Sequence, residues 1–375
     1  MNQESVAVSA VAASEPAASP VAPPTLDTSI DQRLFRATVG ALELFGVYLG
    51  DRLGLYRALE AEALTFGDLA RRCSIHPRYA REWLEQQAVA GVLTVDDTSA
   101  PAARRRFHLP ADNARVVLHA SDANHLAPLA RMVVGIGNVM EEVVQAYREG
   151  SGVPYAHYGP DFRHGQGGIN RPAFTTALVE DWLPAIPQVS ARLDRGGRVA
   201  DLGCGQGWSA IAVARAFPRA NVWGVDCDLA SIEDARGFAS DAGVSVRFEC
   251  ASAAALADYG PFDLVMLLEV LHDLARPVEV LAAARKALAP DGAVLVADEA
   301  VADRFFAPGD DLERMMYGWS ITHCLPTQMC EQPSAAIGTV IREDAVRDLA
   351  REAGFGAVNV VPRDGGFFRL YELRA

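Results

Sequence analysis

Short apolar stretches alternate with longer amphipathic ones from residue 197 to the C-terminus. This alternation predicts strands joined by helices, which is the pattern of a doubly wound, Rossmann-like α/β sheet. Seven strands are predicted, at residues 198–202, 221–225, 244–249, 262–268, 293–298, 356–361 and 367–372. The last two are separated by Pro362-Arg-Asp-Gly-Gly, which predicts a hairpin turn and an antiparallel pair that closes the edge of the sheet.

The N-terminal half has a mostly helical pattern. Residues 31–59 are apolar on more than one face, so we expect this helix to be buried against a partner chain. Thr65-Phe-Gly-Asp68 has the spacing of a capping box and begins one helix, and His76-Pro77 begins a second that runs to about residue 90. Two short extended segments follow, at residues 91–97 and 104–109. This order of helix, helix and β-ribbon predicts a winged helix.

Residues 121–190 are predicted to be helical around a loop at residues 150–171. The loop is rich in glycine, tyrosine and histidine, with Tyr155, His157, Tyr158 and His164. A loop of this length inside a compact domain is usually functional or mobile. It is therefore interpreted as part of an active-site lid, and an interdomain linker is the alternative.

Charge and composition narrow the range of functions. Half of the 375 residues are hydrophobic and 22% are charged, as in a globular enzyme. The formal net charge of -14 would repel nucleic acid, so we expect a small-molecule substrate. A DNA-binding winged helix needs a basic recognition helix, but here Arg78 and Arg81 are offset by Glu82 and Glu85. DNA binding is not expected, despite the three arginines at residues 104–106.

The ends of the chain and its cysteines bear on location. No apolar run approaches the roughly 18 residues of a membrane span. The Ala/Ser/Pro-rich residues 1–28 follow a start without a basic n-region, which predicts a disordered tail and a cytoplasmic protein. The six cysteines include no CxxC pair, so we expect reduced thiols, mostly in the core, without disulfides or a structural zinc site.

The first chemical motif is Val-Ala-Asp-Leu-Gly-Cys-Gly-Gln-Gly at residues 199–207, a strand that enters a glycine turn and then a helix. Glycines let the backbone approach a ligand, and the helix N-terminus favours anionic or polar groups. The final glycine of a dinucleotide fingerprint would fall on Trp208, which weakens an NAD interpretation. Asp201 precedes the turn, and Asp226 ends the next strand, where a carboxylate can accept both hydroxyls of a ribose.

Together with Phe262-Asp-Leu-Val and Leu271-His-Asp, these motifs resemble class I S-adenosylmethionine-dependent methyltransferases over about residues 190–375. The resemblance implies that Asp226 holds the ribose and that a polar residue after the third strand meets the adenine. Many members have an acidic residue at that place, where this chain has Ser252. The cofactor-binding residues implied are Asp201, Gly203, Gly205, Gly207, Asp226, Ser252 and Glu269.

The winged-helix front extends this resemblance to bacterial small-molecule methyltransferases whose N-terminal domain dimerises and covers the substrate. It implies a homodimer without nucleic acid or membrane partners. The predicted segments are a disordered tail at 1–28, a winged-helix dimerisation domain at 29–120, a helical linker and lid at 121–190, and the methyltransferase domain at 191–375.

His272 follows the fourth predicted strand, where the transferred methyl group should point. In many class I methyltransferases a histidine at this place only supports its loop. In winged-helix O-methyltransferases the corresponding residue is a general base that acts on a substrate hydroxyl. In a smaller set of α-keto acid C-methyltransferases, a His-Asp pair and a distant histidine bind one metal ion.

An insertion at residues 301–340 favours the metal-binding interpretation. A predicted helix at residues 312–322 would bring His323 to the cleft, where His272, Asp273 and His323 would form a catalytic two-histidine, one-carboxylate triad. Iron, zinc, cobalt or nickel bound there would chelate a 2-oxo acid and stabilise the enolate whose β-carbon is methylated. Cys324 and Cys330 lie nearby as softer donors, more typical of core or substrate-facing thiols.

Two other hypotheses remain open at this point. The protein could be a metal-free O-methyltransferase in which His272 is the base and His323 merely lines the pocket. It could also be an S-adenosylmethionine-binding regulator that uses the winged helix on DNA. For an acidic substrate, Arg163 or Arg171 on the lid could hold the carboxylate, although surface arginines more often stay solvated.

Overall fold

The computed structural model describes residues 29–362 and 366–375. The predicted tail at residues 1–28 and the centre of the predicted hairpin turn lie outside these residues. In the described part, no helix combines the length and the apolar character needed to cross a membrane.

The N-terminal part consists of helices around a small two-stranded ribbon. The elements are α1 (Ile30–Arg52), α2 (Leu55–Glu60), α3 (Phe66–Cys73), α4 (Pro77–Val89), β1 (Thr94–Val95), β2 (Phe107–His108) and α5 (Ala111–Val117). The prediction of a single helix at residues 31–59 is wrong, because the helix is interrupted at Gly54, which has a φ of 67°. The capping box is present, since the Thr65 hydroxyl accepts from the Asp68 N–H and the Asp68 carboxylate accepts from the Thr65 N–H.

The middle part is helical, and here the structure corrects the predicted loop. Its elements are α6 (Pro128–Glu149), a 3₁₀ turn (Tyr155–Tyr158), α7 (Gly159–Pro172), a π-helical segment (Ala173–Trp182) and α8 (Pro187–Leu193). The glycines of residues 150–171 suggested a loop, but one of them lets two helices touch. A Cβ on Gly165 of α7 would lie 2.8 Å from the Pro128 carbonyl oxygen and 2.9 Å from the Met132 nitrogen of α6.

The C-terminal part contains the predicted seven-stranded sheet. Its strands are β3 (Arg198–Leu202), β4 (Asn221–Asp226), β5 (Arg247–Cys250), β6 (Phe262–Leu268), β7 (Leu288–Glu299), β8 (Ala357–Val360) and β9 (Phe368–Arg374). Their spatial order is β5-β4-β3-β6-β7-β9-β8, parallel from β5 to β7 and antiparallel at β9 and β8. The fold class and the antiparallel ending are therefore confirmed.

Helices cover both faces of this sheet, which is why its central strands are apolar throughout. They are α9 (Trp208–Ala216), α10 (Leu229–Ala242), α11 (Pro277–Lys286) and α14 (Glu343–Glu352). The sheet has a hydrophobic core on each face. One core includes Trp182 and Leu264, and the other includes Phe262 and Tyr371. Only two of the six free cysteines, Cys204 and Cys324, are buried, so the expectation that most lie in the core is wrong.

The centre of the insertion after β7, residues 311–328, is one continuous helical stretch. It contains α12 (Asp311–Trp319), a π-helical segment (Ser320–Cys324) and α13 (Leu325–Gln328). The Val153 N–H donates to the Pro326 carbonyl at 3.0 Å, and the Tyr158 hydroxyl donates to the Thr322 carbonyl at 2.8 Å. The insertion therefore lies against the segment that leads into α7.

Candidate active site

A cavity of about 760 Å³ lies at the carboxyl ends of the parallel strands. In a doubly wound sheet this edge is where ligands bind. Its floor comes from the residues that follow β3, β4, β5 and β6. Helix α7 supplies part of its wall through Arg163, Gly167 and Asn170.

The glycine turn after β3 forms one side of the cavity. Its three glycines have positive φ angles of 65°, 50° and 77° at Gly203, Gly205 and Gly207. Gly203 also needs the absence of a side chain, because a Cβ there would lie 2.5 Å from the Val270 side chain. Gly203 and Gly205 line the cavity, whereas Gly207 begins α9 and lies outside the lining.

Asp226 ends β4 and faces the cavity. One of its carboxylate oxygens accepts from the Gly205 N–H and the other from the Asp228 N–H, both at 2.8 Å. Burial raises the pKa of this carboxyl group above its ordinary value. The side chain is thus a fixed acceptor beside the glycine turn, as a ribose site requires.

Asp201, which the sequence predicts as a cofactor-binding residue, is buried in β3. It is 1% exposed and accepts a hydrogen bond from the Ser209 hydroxyl at 2.5 Å. Burial raises its pKa to about 7. Asp201 does not line the cavity, and it joins β3 to α9 beneath the glycine turn.

The cavity continues past β5 along residues 251–254, where Ser252 is the polar side chain. Its hydroxyl accepts from the Ala254 N–H at 3.4 Å. The other three residues of this stretch are alanines. An adenine ring placed here would meet a short hydroxyl and apolar methyl groups instead of a carboxylate.

Glu269 follows β6 at the opposite side of the glycine turn. Its φ of 56° is uncommon for a residue with a side chain, and such conformations cluster at functional sites. Its carboxylate accepts a hydrogen bond from the Asn170 side chain of α7. Burial and the nearby charge of Glu299 raise its pKa to about 8.

His272 is 3% exposed and lies behind Asp273, which lines the cavity. Its Nδ1 is 2.5 Å from the Asp298 carboxylate, and its Nε2 is 3.4 Å from Asp273 Oδ1. Burial alone would lower the pKa of His272, but the charges of Asp273, Glu299 and Asp298 outweigh it and raise the pKa well above 6.5. The three carboxylates therefore stabilise the protonated form of His272.

His323 lies in an aromatic cluster. The centroid of its ring is 4.1 Å from that of Phe162, 4.6 Å from Tyr158 and 5.8 Å from Tyr155. Its Nδ1 is 3.4 Å from the Thr327 hydroxyl. Burial lowers its pKa to about 4, so the ring is neutral at pH 7.

The expected metal triad is not assembled. Within the described residues, two groups bring donor atoms within 4.8 Å of one another: His272 with Asp273 and Cys324, and His272 with Asp298 and Glu299. His323 belongs to neither group, so the three predicted ligands do not fit a metal ion as they lie. The sequence could not reveal this, because it does not show which way the His323 ring turns.

The two lid arginines proposed for a substrate carboxylate have other contacts. Arg163 lines the cavity and forms an ion pair with Asp234 at 3.4 Å. Arg171 stacks over the Trp208 ring, 4.1 Å from its centroid, and does not line the cavity. Neither presents a free guanidinium group to a ligand in this structure.

Sequence reasoning named Arg163 of α7 but missed Asn170, which lines the cavity from the same helix. The signal was present, because Arg163, Gly167, Asn170 and Phe174 recur at helical spacing. It also missed Gln328, which is buried and donates to the carbonyls of His272 and Leu274. Gln328 thereby fixes the loop that carries His272.

Comparisons with known proteins agree with this geometry. Residues 193–354 match a family model described as a methyltransferase domain. A ubiquinone biosynthesis O-methyltransferase of Roseobacter denitrificans is 37% identical over 99 residues, which are 26% of this chain and 39% of that protein. The match thus spans less than half of the length of this curated relative.

Solved structures share the fold over nearly the whole chain. An O-methyltransferase family protein from Burkholderia thailandensis has a TM-score of 0.62 at 20% identity, over 92% of this chain and 98% of its own. Human N-acetylserotonin methyltransferase, solved with S-adenosylmethionine, has a TM-score of 0.60 at 17% identity, over 94% and 99% of the two chains. The mitomycin 7-O-methyltransferase has a TM-score of 0.63 at 19% identity, over 92% and 97%.

The strand order, the glycine turn and the family match agree. Residues 193–354 are a methyltransferase domain, and the chain shares its fold with a methyltransferase solved with S-adenosylmethionine.

Proposed function

We propose that this enzyme methylates a hydroxyl oxygen of a small molecule and that His272 is the general base. The observation that carries the proposal is the 2.5 Å contact between His272 Nδ1 and Asp298. Because Asp298 accepts the Nδ1 hydrogen, the neutral ring has its lone pair on Nε2, on the side of Asp273. Proteins similar to this chain that are named as O-methyltransferases support the same acceptor atom, a hydroxyl oxygen.

The cofactor fits along the strand ends. When bound, S-adenosylmethionine supplies an electrophilic methyl group on its sulfonium sulfur. We assign its ribose hydroxyls to Asp226 and its adenine to residues 251–254, because these groups are neighbours in the cavity. His272 then removes the proton of the acceptor hydroxyl, and Asp273, which lies 3.4 Å from Nε2, orients that hydroxyl.

The raised pKa of His272 suits a weakly acidic acceptor. A phenol has a pKa near ~10, so an unperturbed imidazole would be a weak base toward it. Proton transfer becomes more favourable as the pKa of the base approaches that of the donor. The three carboxylates around His272 therefore increase its ability to accept a phenolic proton.

The charges in the cavity favour a neutral acceptor over a 2-oxo acid. Two arginines line the cavity: Arg163 pairs with Asp234, and Arg276 pairs with Glu279 and Glu331. Among the described lining residues, no arginine or lysine is left for a substrate carboxylate. With the triad also unassembled, metal-assisted C-methylation of a 2-oxo acid is less well supported than O-methylation.

We further propose that residues 29–120 form a dimerisation domain rather than a DNA-binding one. Helix α1 exposes Phe35 at 71%, Leu34 at 62% and Leu42 at 61%, and a helix this apolar should not face water. The basic residues of α4 are engaged, since Arg81 forms an ion pair with Glu85 at 3.2 Å. The cytoplasmic location and the other domain boundaries stay predictions from the sequence.

The test is a methyl-transfer assay with labelled S-adenosylmethionine and a panel of phenols and 2-oxo acids. We expect O-methyl ethers of phenolic acceptors, identified by mass spectrometry and NMR. His272→Gln should abolish turnover and leave cofactor binding unchanged, whereas His119→Gln, at an exposed histidine, should have no effect. Methylation of the β-carbon of a 2-oxo acid by the wild-type protein would overturn the proposal.

A further inference from the structure

The order of the strands predicts the order in which the parts of the cofactor lie. Ser252, Gly203 and Glu269 follow β5, β3 and β6, and Asp226 ends β4. These strands are successive neighbours in the order β5-β4-β3-β6. If the adenine and the ribose lie over β5 and β4, as in the proposed function on which this inference rests, the methionine part must extend past β3. It therefore ends beside Glu269.

Glu269 is held in place from two directions. Its backbone N–H donates to the Ala297 carbonyl at 2.8 Å, which fixes the residue at the end of β6. Its Oε2 accepts from the Asn170 amide, and the residue lines the cavity. Among the described residues, the charged groups that act on this carboxylate are Glu299, His272 and Asp298, and none of them is an arginine or a lysine.

The surroundings of Glu269 match a cationic ligand. The nearby ionisable groups are His272, Glu299 and Asp298, so carboxylates outnumber the single imidazole. Burial and the charge of Glu299 disfavour the ionised form of Glu269 in the free protein. An ammonium group in the cavity would offer three hydrogen-bond donors and a positive charge that offsets the carboxylates around Glu269.

We propose that Glu269 binds the ammonium group of the cofactor's methionine part, and that Asn170 is a positioning residue that holds this carboxylate. Because Asn170 belongs to α7, the helix contacts the site of the amino-acid end of the cofactor. The same helix contacts the glycine turn, where a Cβ on Gly167 would lie 2.1 Å from Gln206 Oε1. Helix α7 thus contacts the turn after β3 and the residue after β6.

Two ligands that differ in this part of the cofactor test the proposal. S-adenosylhomocysteine carries the ammonium group, and methylthioadenosine retains the adenosine but lacks the whole amino-acid part. Calorimetry should be run with wild type, Glu269→Gln and Asn170→Ala. Glu352→Gln and Asn138→Ala, at exposed positions, serve as matched controls.

We expect Glu269→Gln to weaken the binding of S-adenosylhomocysteine by about tenfold to a hundredfold, as for a lost hydrogen bond to a charged group. Its affinity for methylthioadenosine should stay within about twofold of wild type. Asn170→Ala should show the same selectivity with a smaller loss, and Asn170→Asp should be worse than Asn170→Ala because it places a second carboxylate beside Glu269. Retained binding of methylthioadenosine also shows that each variant is folded.

Equal losses for both ligands, or no loss in Glu269→Gln, would overturn the inference. If wild type bound neither ligand, the proposed cofactor site itself would fail, which is a different outcome. Lost binding of both ligands by one variant with a normal melting temperature would also count against the inference, because Glu269 would then act on the adenosine part.

Discussion

Nδ1 of His272 lies 2.5 Å from the carboxylate of Asp298, and both side chains are buried. This contact decides which ring nitrogen carries the lone pair of the neutral ring and, with Asp273 and Glu299, raises the pKa of the ring. In proteins of this type a histidine can support a loop or accept a proton. A histidine whose orientation and basicity are both fixed by buried carboxylates is suited to the second role.

The pH dependence of turnover follows from the raised pKa. Only neutral His272 can accept a proton, so kcat/KM should rise with pH and level off above the pKa of His272, which lies well above 6.5. Asp298→Asn removes one of the charges that raise this pKa and should move the inflection to lower pH. Replacing the substrate by one of different acidity separates the ionisation of the substrate from that of His272. An inflection at or below 6.5 that does not move in Asp298→Asn would contradict the assignment.

Metal removal should leave activity unchanged. Since His323 lies outside the donor groups around His272, we expect full turnover after dialysis against a chelator. His323→Phe should retain most of the activity, whereas His272→Gln should not. Metal analysis of the purified protein checks the same point, and stoichiometric iron or zinc with chelator-sensitive turnover would restore the metal hypothesis.

His323 should make the protein sensitive to acid. Its pKa is lowered from 6.5 to about 4, so below pH 6.5 the unfolded chain binds a proton that the folded protein does not. Stability therefore falls as pH drops from 6.5 to 4, by about 3 kcal/mol from this residue. Urea unfolding of wild type and His323→Phe across this range measures the difference. The control His108→Phe, at an exposed position, should keep the wild-type slope; an identical slope in His323→Phe would refute the prediction.

The exposed face of α1 predicts a dimer that one charge can break. Leu34→Asp or Phe35→Asp should halve the mass measured by light scattering at micromolar concentration, because a carboxylate cannot be buried unpaired in an apolar interface. Val89→Asp is the matched control, since Val89 is equally apolar and 91% exposed but lies outside α1. A wild-type protein that is monomeric under these conditions would remove the dimer from the proposal.

Much of the fold was predictable, because the sheet is encoded by local patterns. The bounds of β3 and β6 follow from apolar runs at residues 198–202 and 262–268. Strand β5 begins at Arg247 rather than residue 244, since the preceding valines pack as part of the connection. The two-residue strands of the ribbon were likewise shorter than predicted.

The sequence predicted the positions of site residues only where the local secondary structure of a motif fixes them. The glycine turn and Asp226 have that property, because strand, turn and neighbouring strand fix their positions. Asn170 does not have that property, since its contact with Glu269 joins residues that are 99 positions apart in the sequence. The contact also depends on α7, whose glycines led to the prediction of a loop. The orientation of His323 likewise depends on Phe162 and Tyr158 from another segment.

The contact between α6 and α7 at Gly165 affects how fast the cavity can open. Backbone meets backbone there, so α7 has no room to swing alone and should travel together with α6 as a rigid body. Arg131 of α6 is in turn 2.5 Å from Asp51 of α1, which extends that body into the N-terminal half. Any opening of the cavity on the side of α7 would therefore move α6 and α1 as well. Collective rotations of that size take microseconds to milliseconds, whereas loop motions take nanoseconds to microseconds.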